Sequence, residues 1–187
     1  MQYLTVGTSE IREDLFCKIE DTGTIKPKGG LWLTIYDPRY KNYNAWVDFI
    51  LDDPITFFYK NRGTSIWEQP CSVVTLKEDA RIFELDSQES LTLLNEKYAG
   101  SYDLLSKDYD GMFVHMLGLI GDVNDARLRE QVLRFGVDSL VLFNLSCIDY
   151  YQSGIVAIEP FDYEYGAVEM TSYEIKYEDA KKKIRKK

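Results

Sequence analysis

The sequence predicts an α+β fold with a mixed, largely antiparallel sheet and flanking helices. Runs rich in Val, Ile and Phe alternate irregularly with amphipathic stretches, which argues against a doubly wound sheet. Of the 187 residues, 45% are hydrophobic, which is enough apolar material for one buried core. Neither an internal repeat nor a low-complexity linker divides the chain, so we expect a single domain over residues 1–187.

The opening segments are predicted as strand, helix, strand and helix. "QYLTV" near the N-terminus is the first strand. Ser9 then offers a good N-cap, and apolar residues follow at helical spacing: Ile11, Leu15 and Ile19. "LWLTIY" at residues 31–36 is the second strand. "NYNAWVDFIL" at residues 42–51 is predicted as a helix with Ala45 and Phe49 turned inward.

The middle of the chain alternates between short strands and helices. "CSVVTLK" and "ARIFELD" are predicted strands. Asp86 and Glu89 match a capping box that would begin the next helix. The buried face of that helix should carry Leu91, Leu94 and Tyr98. Further on, "YDGMFVHM", "DSLVLFN" and "GIVAIEPF" are predicted strands, and "DARLREQVLRF" is a predicted helix.

The C-terminal segment, at about 172–187, is predicted as a basic helix. Its aromatic and apolar residues recur at helical spacing: Tyr173, Tyr177, Ala180 and Ile184. The last seven residues, "KKKIRKK", carry six positive charges, which would complement the negative end of a helix macrodipole. We therefore expect a solvated helix end that is dispensable for folding.

The charge of the chain is strongly uneven. The whole chain has a formal net charge of −9 and its last seven residues carry +6, so residues 1–180 carry −15. An acidic surface repels phosphate backbones and favours a basic partner protein, such as one that binds nucleic acid. Direct nucleic-acid binding is expected only through the basic tail.

The cysteines and the N-terminus favour a cytoplasmic protein. Cys17, Cys71 and Cys147 are odd in number and form no CxxC pair, so we expect buried free thiols in a reducing compartment. The start of the chain lacks a basic region followed by an apolar block, so no signal peptide is expected. The sequence contains no window of about 18 uncharged apolar residues, the length that a membrane helix requires.

Common catalytic signatures are missing from the sequence. It contains no GxxxxGK[ST], GxGxxG, HExxH or GxSxG motif. His115 is the only histidine, and its place among apolar residues in "MFVHML" predicts a packed core residue. A histidine-rich metal site is thereby excluded. Acid–base chemistry would fall to carboxylates, tyrosines or water.

Three stretches together resemble a known family. They are "YLTVGTS" at residues 3–9, "GGLWLTIYD" at 29–37, and "DYDGMFV" at 108–114 followed by "VDSLVLFNLSCI" at 137–148. In this order they are similar to the ADP-ribosyltransferase-like fold in its small bacterial and phage forms. The resemblance covers roughly residues 3–148 in short blocks. It implies a split mixed sheet with flanking helices and NAD as substrate in the cleft.

The resemblance implies which residues would hold NAD. Gly7 and Thr8 would meet the nicotinamide carboxamide through the backbone. Trp32, Thr34 and Tyr36 would line the pocket, where an indole favours a positively charged pyridinium ring. The neighbouring glycine pair, Gly29-Gly30, would let the backbone approach the ligand. The structural alternative is a turn at the glycines, Trp32 as a core anchor and Tyr36 outside any site.

The catalytic acid of the family has no direct counterpart here. Val6 stands at the usual first-strand histidine, and Ser139 aligns with the usual glutamate. Asp138 lies one position earlier, and Asp110 is a rival acid. In the family the acid holds a ribose hydroxyl and stabilises an oxocarbenium-like transition state. A degenerate site, with Asp138 as a capping or turn residue, is the alternative.

Two functions follow as hypotheses. The first is an effector of a phage or mobile element that uses NAD for mono-ADP-ribosyl transfer to a protein or nucleic-acid target. The second is a catalytically degenerate acidic inhibitor that blocks a basic nucleic-acid-handling protein, as anti-CRISPR proteins do. The glycine setting of Trp32 favours the first, and the charge of −15 over residues 1–180 favours the second.

Overall fold

An eight-stranded mixed sheet organises the computed structural model, which describes residues 1–39, 44–47, 68–158 and 173–184. The strands are β1 (Gln2–Val6), β2 (Leu31–Tyr36), β3 (Glu68–Leu76), β4 (Ile82–Leu85), β5 (Gly111–Val114), β6 (Ser139–Leu142), β7 (Ile148–Ile158) and β8 (Tyr173–Tyr177). Their order across the sheet is β4-β5-β6-β2-β1-β3-β7-β8. All neighbours are antiparallel except β4 and β5. The predicted α+β class with a mixed, largely antiparallel sheet is confirmed.

Four helices have both ends within the described residues. They are α1 (Gln88–Tyr98), α2 (Tyr102–Asp108), α3 (Met116–Asp122) and α4 (Ala126–Leu133). Their buried side chains pack on the β4–β5–β6 part of the sheet, in one cluster with Phe83, Met112 and Val141. No helix in the described ranges is long and apolar enough to cross a bilayer.

Strand residues alternate between two faces of the sheet. Met112 and Val114 face the helices, whereas Phe113 faces a second apolar cluster on the opposite side. In β6, Val141 faces the helices and Leu140 faces the second cluster. Because both faces are covered, every residue of β5 and β6 is buried, which explains why their sequences are apolar apart from Ser139.

The start of α1 is shifted by one residue from the predicted capping box. Ser87 is the N-cap, and its hydroxyl accepts a hydrogen bond from the Ser90 backbone N–H. The Ser90 hydroxyl in turn accepts one from the Ser87 N–H, so the reciprocal pair uses two serines rather than Asp86 and Glu89. The predicted buried face of Leu91, Leu94 and Tyr98 is confirmed.

The helix predicted after Ser9 is wrong. Residues 10–30 form an irregular loop with one 3₁₀ turn at Glu13–Leu15 and an isolated bridge between Glu20 and Lys28. Ile11 is buried in the second cluster, but the Leu15 side chain is exposed, so the helical spacing does not describe a common face. The tertiary contacts of this loop override the local periodicity.

Only part of the helix predicted at 42–51 lies in the described residues. Residues 45–47 are helical, and the Asn44 side chain accepts hydrogen bonds from the backbone N–H groups of Trp46 and Val47. Ala45 is partly buried. Phe49 lies outside the described residues.

His115 does not lie in the core. It follows β5 directly and precedes α3, and 42% of its side chain is exposed. Its Nε2 lies 2.7 Å from Glu84 Oε2 on the neighbouring strand, and its ring is 4.5 Å from that of Phe113. The cysteine prediction holds for Cys71 and Cys147, which are buried and free, whereas Cys17 is exposed.

The C-terminal helix predicted at 172–187 is also wrong. Tyr173–Tyr177 form β8, which pairs antiparallel with β7. The chain then lies beside β7 again, where Lys182 and Tyr151 exchange two backbone hydrogen bonds of 2.9 and 2.8 Å. Lys182 Nζ contacts Ser153 Oγ at 2.7 Å and Glu178 at 2.9 Å. The basic segment is therefore tied to the sheet as far as residue 184.

We expect removal of residues 181–187 to lower the free energy of unfolding by about 2–4 kcal/mol. Two backbone hydrogen bonds are worth about 1 kcal/mol each, and Ile184, which packs on the second cluster, contributes a similar amount. Urea denaturation measures the change. Lys183→Ala is the control, because its exposed ion pair with Asp149 is worth at most about 1 kcal/mol. An unchanged unfolding midpoint of the truncated protein would instead support the prediction that the tail is dispensable for folding.

Candidate functional site

A cleft of about 630 Å³ lies where the end of β2 and the start of β6 meet the start of α3. Its volume is in the range of small-molecule sites. The residues that line it are Thr34, Ile35, Asp37, Asn44, Ala45, Met116, Leu117, Gly136, Val137 and Asp138. The cleft contains two residues of the predicted site, Thr34 and Asp138.

The pairing of β2 with β6 brings Thr34 and Asp138 together. The two strands are antiparallel, with Leu33 opposite Leu140, so the residues just before β6 lie beside the last half of β2. The buried Thr34 hydroxyl donates a hydrogen bond of 3.2 Å to the Asp138 backbone carbonyl. Thr34, late in β2, and Asp138, just before the neighbouring strand β6, therefore reach the same cleft.

The Asp138 carboxylate is oriented by the first residue of α3. The Met116 backbone N–H donates to Asp138 Oδ1 at 2.7 Å. This bond satisfies one of the unpaired N–H groups at a helix start and holds the carboxylate by a charge-assisted hydrogen bond. In the described part of the chain, Oδ2 has no hydrogen-bond partner. Asp138 thus serves as a capping residue and also presents one oxygen for a ligand.

A second carboxylate in the cleft, Asp37, was missed by the sequence prediction. Asp37 follows β2 and holds the Arg39 guanidinium through two nitrogens, with Nε at 2.9 Å from Oδ1 and Nη2 at 2.5 Å from Oδ2. Its hydrogen bonds from Arg39 lower the pKa of Asp37 to about 2, so it is ionised at neutral pH. The available signal was a carboxylate directly after the strand that carries Thr34.

The remaining walls of the cleft are mostly apolar. Met116, Leu117 and Val137 line one side, and Leu117 is 75% exposed. Asn44 is buried, and its amide donates to the Ile35 carbonyl at 3.0 Å. The described lining residues include no lysine, arginine or histidine, but Arg39 pairs with Asp37, so among them Asp138 is the carboxylate without a cationic partner.

Gly7 and Thr8 lie away from the cleft. Leu4 of β1 pairs with Thr34, so Gly7 is three residues, or roughly 10 Å, further along the strand direction. The Gly7 N–H donates to the Pro70 carbonyl at 2.7 Å, so it is used within the protein.

Thr8 is likewise held by internal hydrogen bonds. Its hydroxyl donates to the Glu10 carbonyl at 2.6 Å, and its carbonyl accepts from the buried Ser72 hydroxyl at 3.0 Å. The next carbonyl, that of Ser9, accepts from Ser153 at 2.5 Å. The Gly7 N–H, the Thr8 hydroxyl and the carbonyls of Thr8 and Ser9 are therefore all engaged within the protein.

Trp32 is a packing residue outside the cleft. Its ring lies 6.0 Å from that of Phe135, and its indole N–H donates to the Gly29 carbonyl at 2.8 Å. The cation over the indole is Lys26, whose Nζ is 5.3 Å from the ring centroid. Burial lowers the pKa of Lys26. The structure thus agrees with the alternative reading of Trp32 as a core anchor.

The glycine pair lets segments of the protein itself approach each other. Both residues have positive φ, 77° for Gly29 and 72° for Gly30. A Cβ on Gly30 would lie 2.6 Å from the Val141 side chain and 2.8 Å from the Leu142 carbonyl oxygen. A Cβ on Gly29 would overlap the Lys18 carbonyl. The segments whose close approach requires glycine are therefore the 10–30 loop at Gly29 and β6 at Gly30, rather than a ligand.

Tyr36 and Ser139 lie near the ends of the cleft strands but turn their side chains elsewhere. The Tyr36 ring packs edge-on against Tyr177 at 6.3 Å, and burial is the main reason that its pKa rises to about 12. Ser139 is buried, and its hydroxyl donates to the Val137 carbonyl at 2.8 Å. Neither side chain is among the lining residues.

Asp110 is placed at the far end of the β5–β6 pair from Asp138. Gly111 pairs with Leu142 and Val114 with Ser139, so Asp110 is level with Phe143, and about five residues of strand, or roughly 17 Å, separate the two acids. The Asp110 carboxylate accepts hydrogen bonds from the Arg81 N–H at 3.0 Å and the Asn144 amide at 3.2 Å. It joins neighbouring loops, which leaves Asp138 as the predicted acid that faces the cleft.

Comparison with protein-family models, with curated proteins and with solved structures finds no match to this chain.

Proposed function

We propose that the cleft binds the nicotinamide riboside end of NAD and that the protein transfers ADP-ribose from NAD to a macromolecular target. The observation that carries this proposal is the convergence of Thr34 and Asp138 in one cleft of about 630 Å³, beside the second carboxylate Asp37. Thr34 and Asp138 belong to the segments that resemble the ADP-ribosyltransferase-like family.

The charge and shape of the cleft suit the substrate. The nicotinamide ring of NAD is a flat pyridinium with a positive charge. Asp138 attracts such a cation, and the apolar side chains of Met116, Leu117 and Val137 can cover its flat faces.

Asp138 is the residue to which we assign catalysis. Its Oδ2, which has no hydrogen-bond partner among the described residues, would accept a hydrogen bond from a ribose hydroxyl and stabilise the positive charge that develops at the ribose C1′ atom. The bond from C1′ to nicotinamide breaks with its electron pair, and nicotinamide leaves as a neutral molecule. The Met116 N–H fixes the carboxylate beforehand, so little reorganisation accompanies the transition state.

NAD at millimolar concentration is expected to raise the melting temperature and to release nicotinamide. Binding to the folded state alone stabilises it by mass action. Asp138→Asn should lower the rate of nicotinamide release about 100-fold and keep most of the thermal shift, because a transition-state contact is lost. The asparagine oxygen still accepts from Met116, so the fold is retained. Thermal melts and chromatography of nicotinamide measure both effects.

Asp110→Asn is the matched control for this experiment. It removes the same charge from the rival acid, which lies outside the cleft, and the rate of nicotinamide release from the folded variant should stay unchanged. Absence of both a thermal shift and nicotinamide release with the native chain would overturn the NAD proposal.

A second candidate function is an acidic inhibitor of a basic nucleic-acid-handling protein. The net charge of −9 favours it, since charge complementarity speeds association and makes it sensitive to salt. Asp138→Asn separates the candidates. An inhibitor that acts through its overall charge keeps its effect in this variant, whereas the transferase loses activity.

A further inference from the structure

The sheet places His115 beside Asp138. The last pair of the β5–β6 ladder is Val114 with Ser139. One further step along the two strands sets His115 opposite Asp138, and opposite residues of an antiparallel pair have Cβ atoms about 5 Å apart. The Met116 N–H, next in the chain, donates to Asp138 Oδ1 at 2.7 Å, so the two segments stay in contact beyond the ladder. The single histidine of the chain is therefore a close neighbour of the carboxylate to which we assign catalysis.

His115 lies on the sheet face that borders the cleft. Phe113 and Leu33, two residues before His115 and Ile35 in their strands, both face the second apolar cluster. Because every second residue of a strand returns to the same face, His115 and Ile35 share that face. Extending the β2–β6 ladder sets Ile35 on the other side of Asp138, where Ile35 lines the cleft and is 40% exposed. A row of three residues, His115, Asp138 and Ile35, thus runs across β5, β6 and β2 to the cleft.

Glu84 orients the His115 imidazole from the neighbouring strand. Its Oε2 lies 2.7 Å from Nε2 of the ring, and the two residues are 31 positions apart in the sequence. The ring also packs against Phe113 at 4.5 Å. Although His115 is the N-cap residue of α3, its side chain makes no capping hydrogen bond. Contacts with β4 and β5, rather than with the helix, therefore set the direction of the ring.

This arrangement leaves the other ring nitrogen able to accept a proton. When Nε2 of His115 carries the hydrogen and donates it to Glu84, Nδ1 presents a lone pair. Among the residues that the structure describes, Nδ1 has no hydrogen-bond partner, and 42% of the side chain is exposed. A carboxylate that holds one nitrogen of a histidine and leaves the other accessible prepares the imidazole to act as a base.

The other ionisable groups of the row and of the cleft are less suited to accept a proton. Hydrogen bonds from Arg39 lower the pKa of Asp37 to about 2, so this carboxylate is a weak base. Asp138 holds the ribose in the proposed function. Tyr3, which continues the row on β1, is buried, and burial raises its pKa, so the phenol keeps its proton. His115 is the remaining group with an accessible lone pair.

We propose that His115, oriented by Glu84, is the general base that takes the proton of the nucleophile attacking the ribose in the cleft. This inference rests on the proposed function. With the isolated protein and NAD, the nucleophile is water. Its oxygen forms a bond to C1′ as the bond from C1′ to nicotinamide breaks with its electron pair. The proton passes to His115 Nδ1 and then to the solvent, so the products are ADP-ribose, nicotinamide and one proton.

The test compares nicotinamide release from NAD by the full chain and by His115→Gln. The variant should release nicotinamide about 100-fold more slowly, because a general base typically contributes at least this factor. It should keep the NAD-dependent thermal shift, since the lining residues and the Met116–Asp138 bond are unchanged. Azide is an anionic nucleophile that has no proton to lose. Sodium azide should therefore raise the rate of the variant about tenfold or more, with ADP-ribosyl azide as the product, and change the native rate little.

Glu84→Gln tests the orienting role of the carboxylate. The glutamine amide can donate to Nε2 of His115, which favours the tautomer with the hydrogen on Nδ1, and that nitrogen then accepts no proton. Nicotinamide release should fall about tenfold, and azide should restore it. Asp108→Asn is the matched control. Its carboxylate is 50% exposed, against 54% for Glu84, and pairs with Lys97 at 3.1 Å outside the row, so this variant should keep the native rate.

The outcomes separate this inference from the proposed function. Equal release by the native chain and by folded His115→Gln would overturn the general base and leave the proposed function in place. A loss that azide does not restore would do the same, because it would show that His115 acts through the structure. If His115→Gln does not fold, the Glu84→Gln result decides in its place. Absence of nicotinamide release from the native chain would overturn both.

Discussion

Gly29→Ala is expected to lower the free energy of unfolding by about 2–5 kcal/mol. A residue with a Cβ at a φ of 77° costs roughly 1–2 kcal/mol, and the added methyl group overlaps the Lys18 carbonyl. Relief of that overlap requires the 10–30 loop to shift, which typically costs a further 1–3 kcal/mol. Chemical denaturation followed by circular dichroism measures the loss.

Gly23→Ala is the matched control for this prediction. Gly23 has a φ of 71°, nearly the same as Gly29, but no atom lies within 4 Å of a Cβ built on it. It should lose only the conformational cost of about 1–2 kcal/mol. Equal losses in the two variants would mean that the close approach at Gly29 contributes nothing.

Trp32→Ala is expected to lower the free energy of unfolding by about 3 kcal/mol. The substitution removes a large ring that packs on Phe135 and lies under Lys26, and it leaves the Gly29 carbonyl without its indole donor. Trp32→Phe keeps most of the packing and should lose about half as much. Urea denaturation of the three proteins measures the series.

The same variant distinguishes a packing role from a ligand-binding role for Trp32. Because Trp32 does not line the cleft, Trp32→Ala should retain the NAD-dependent thermal shift of the native chain at temperatures where it is folded. A stable Trp32→Ala variant whose melting temperature no longer responds to NAD would instead support a role of the indole in binding nicotinamide.

Strand prediction succeeded where side-chain pattern and environment agree. "LWLTIY", "SLVLF" and "GMFV" consist of strand-forming residues whose neighbours on both faces are apolar, and they form β2, β6 and β5. The buried face of α1 was equally predictable, since the spacing of Leu91, Leu94 and Tyr98 fits one face of a helix but not one face of a strand. These elements are set by residues close to one another in the chain.

The C-terminal segment shows why a period can mislead. Tyr173 and Tyr177 are four residues apart, which fits one face of a helix and also one face of a strand, because four is a multiple of two. Hydrogen bonds to β7 decide in favour of the strand. The prediction of a helix after Ser9 failed for a related reason. The carbonyls of Thr8 and Ser9, where that helix would begin, accept hydrogen bonds from the distant residues Ser72 and Ser153.

The sequence alone predicted the α+β class and the main strands, and two of its candidate site residues, Thr34 and Asp138, line the cleft. Only the tertiary structure decided which of the other candidates join them. Strand order and register place Gly7 and Asp110 at other positions on the sheet. Trp32 packs against Phe135 outside the cleft, and Gly30 lies against Val141 of β6. The physical reason is that composition and period report whether a residue is buried, whereas a site depends on which distant backbones pair and in what register.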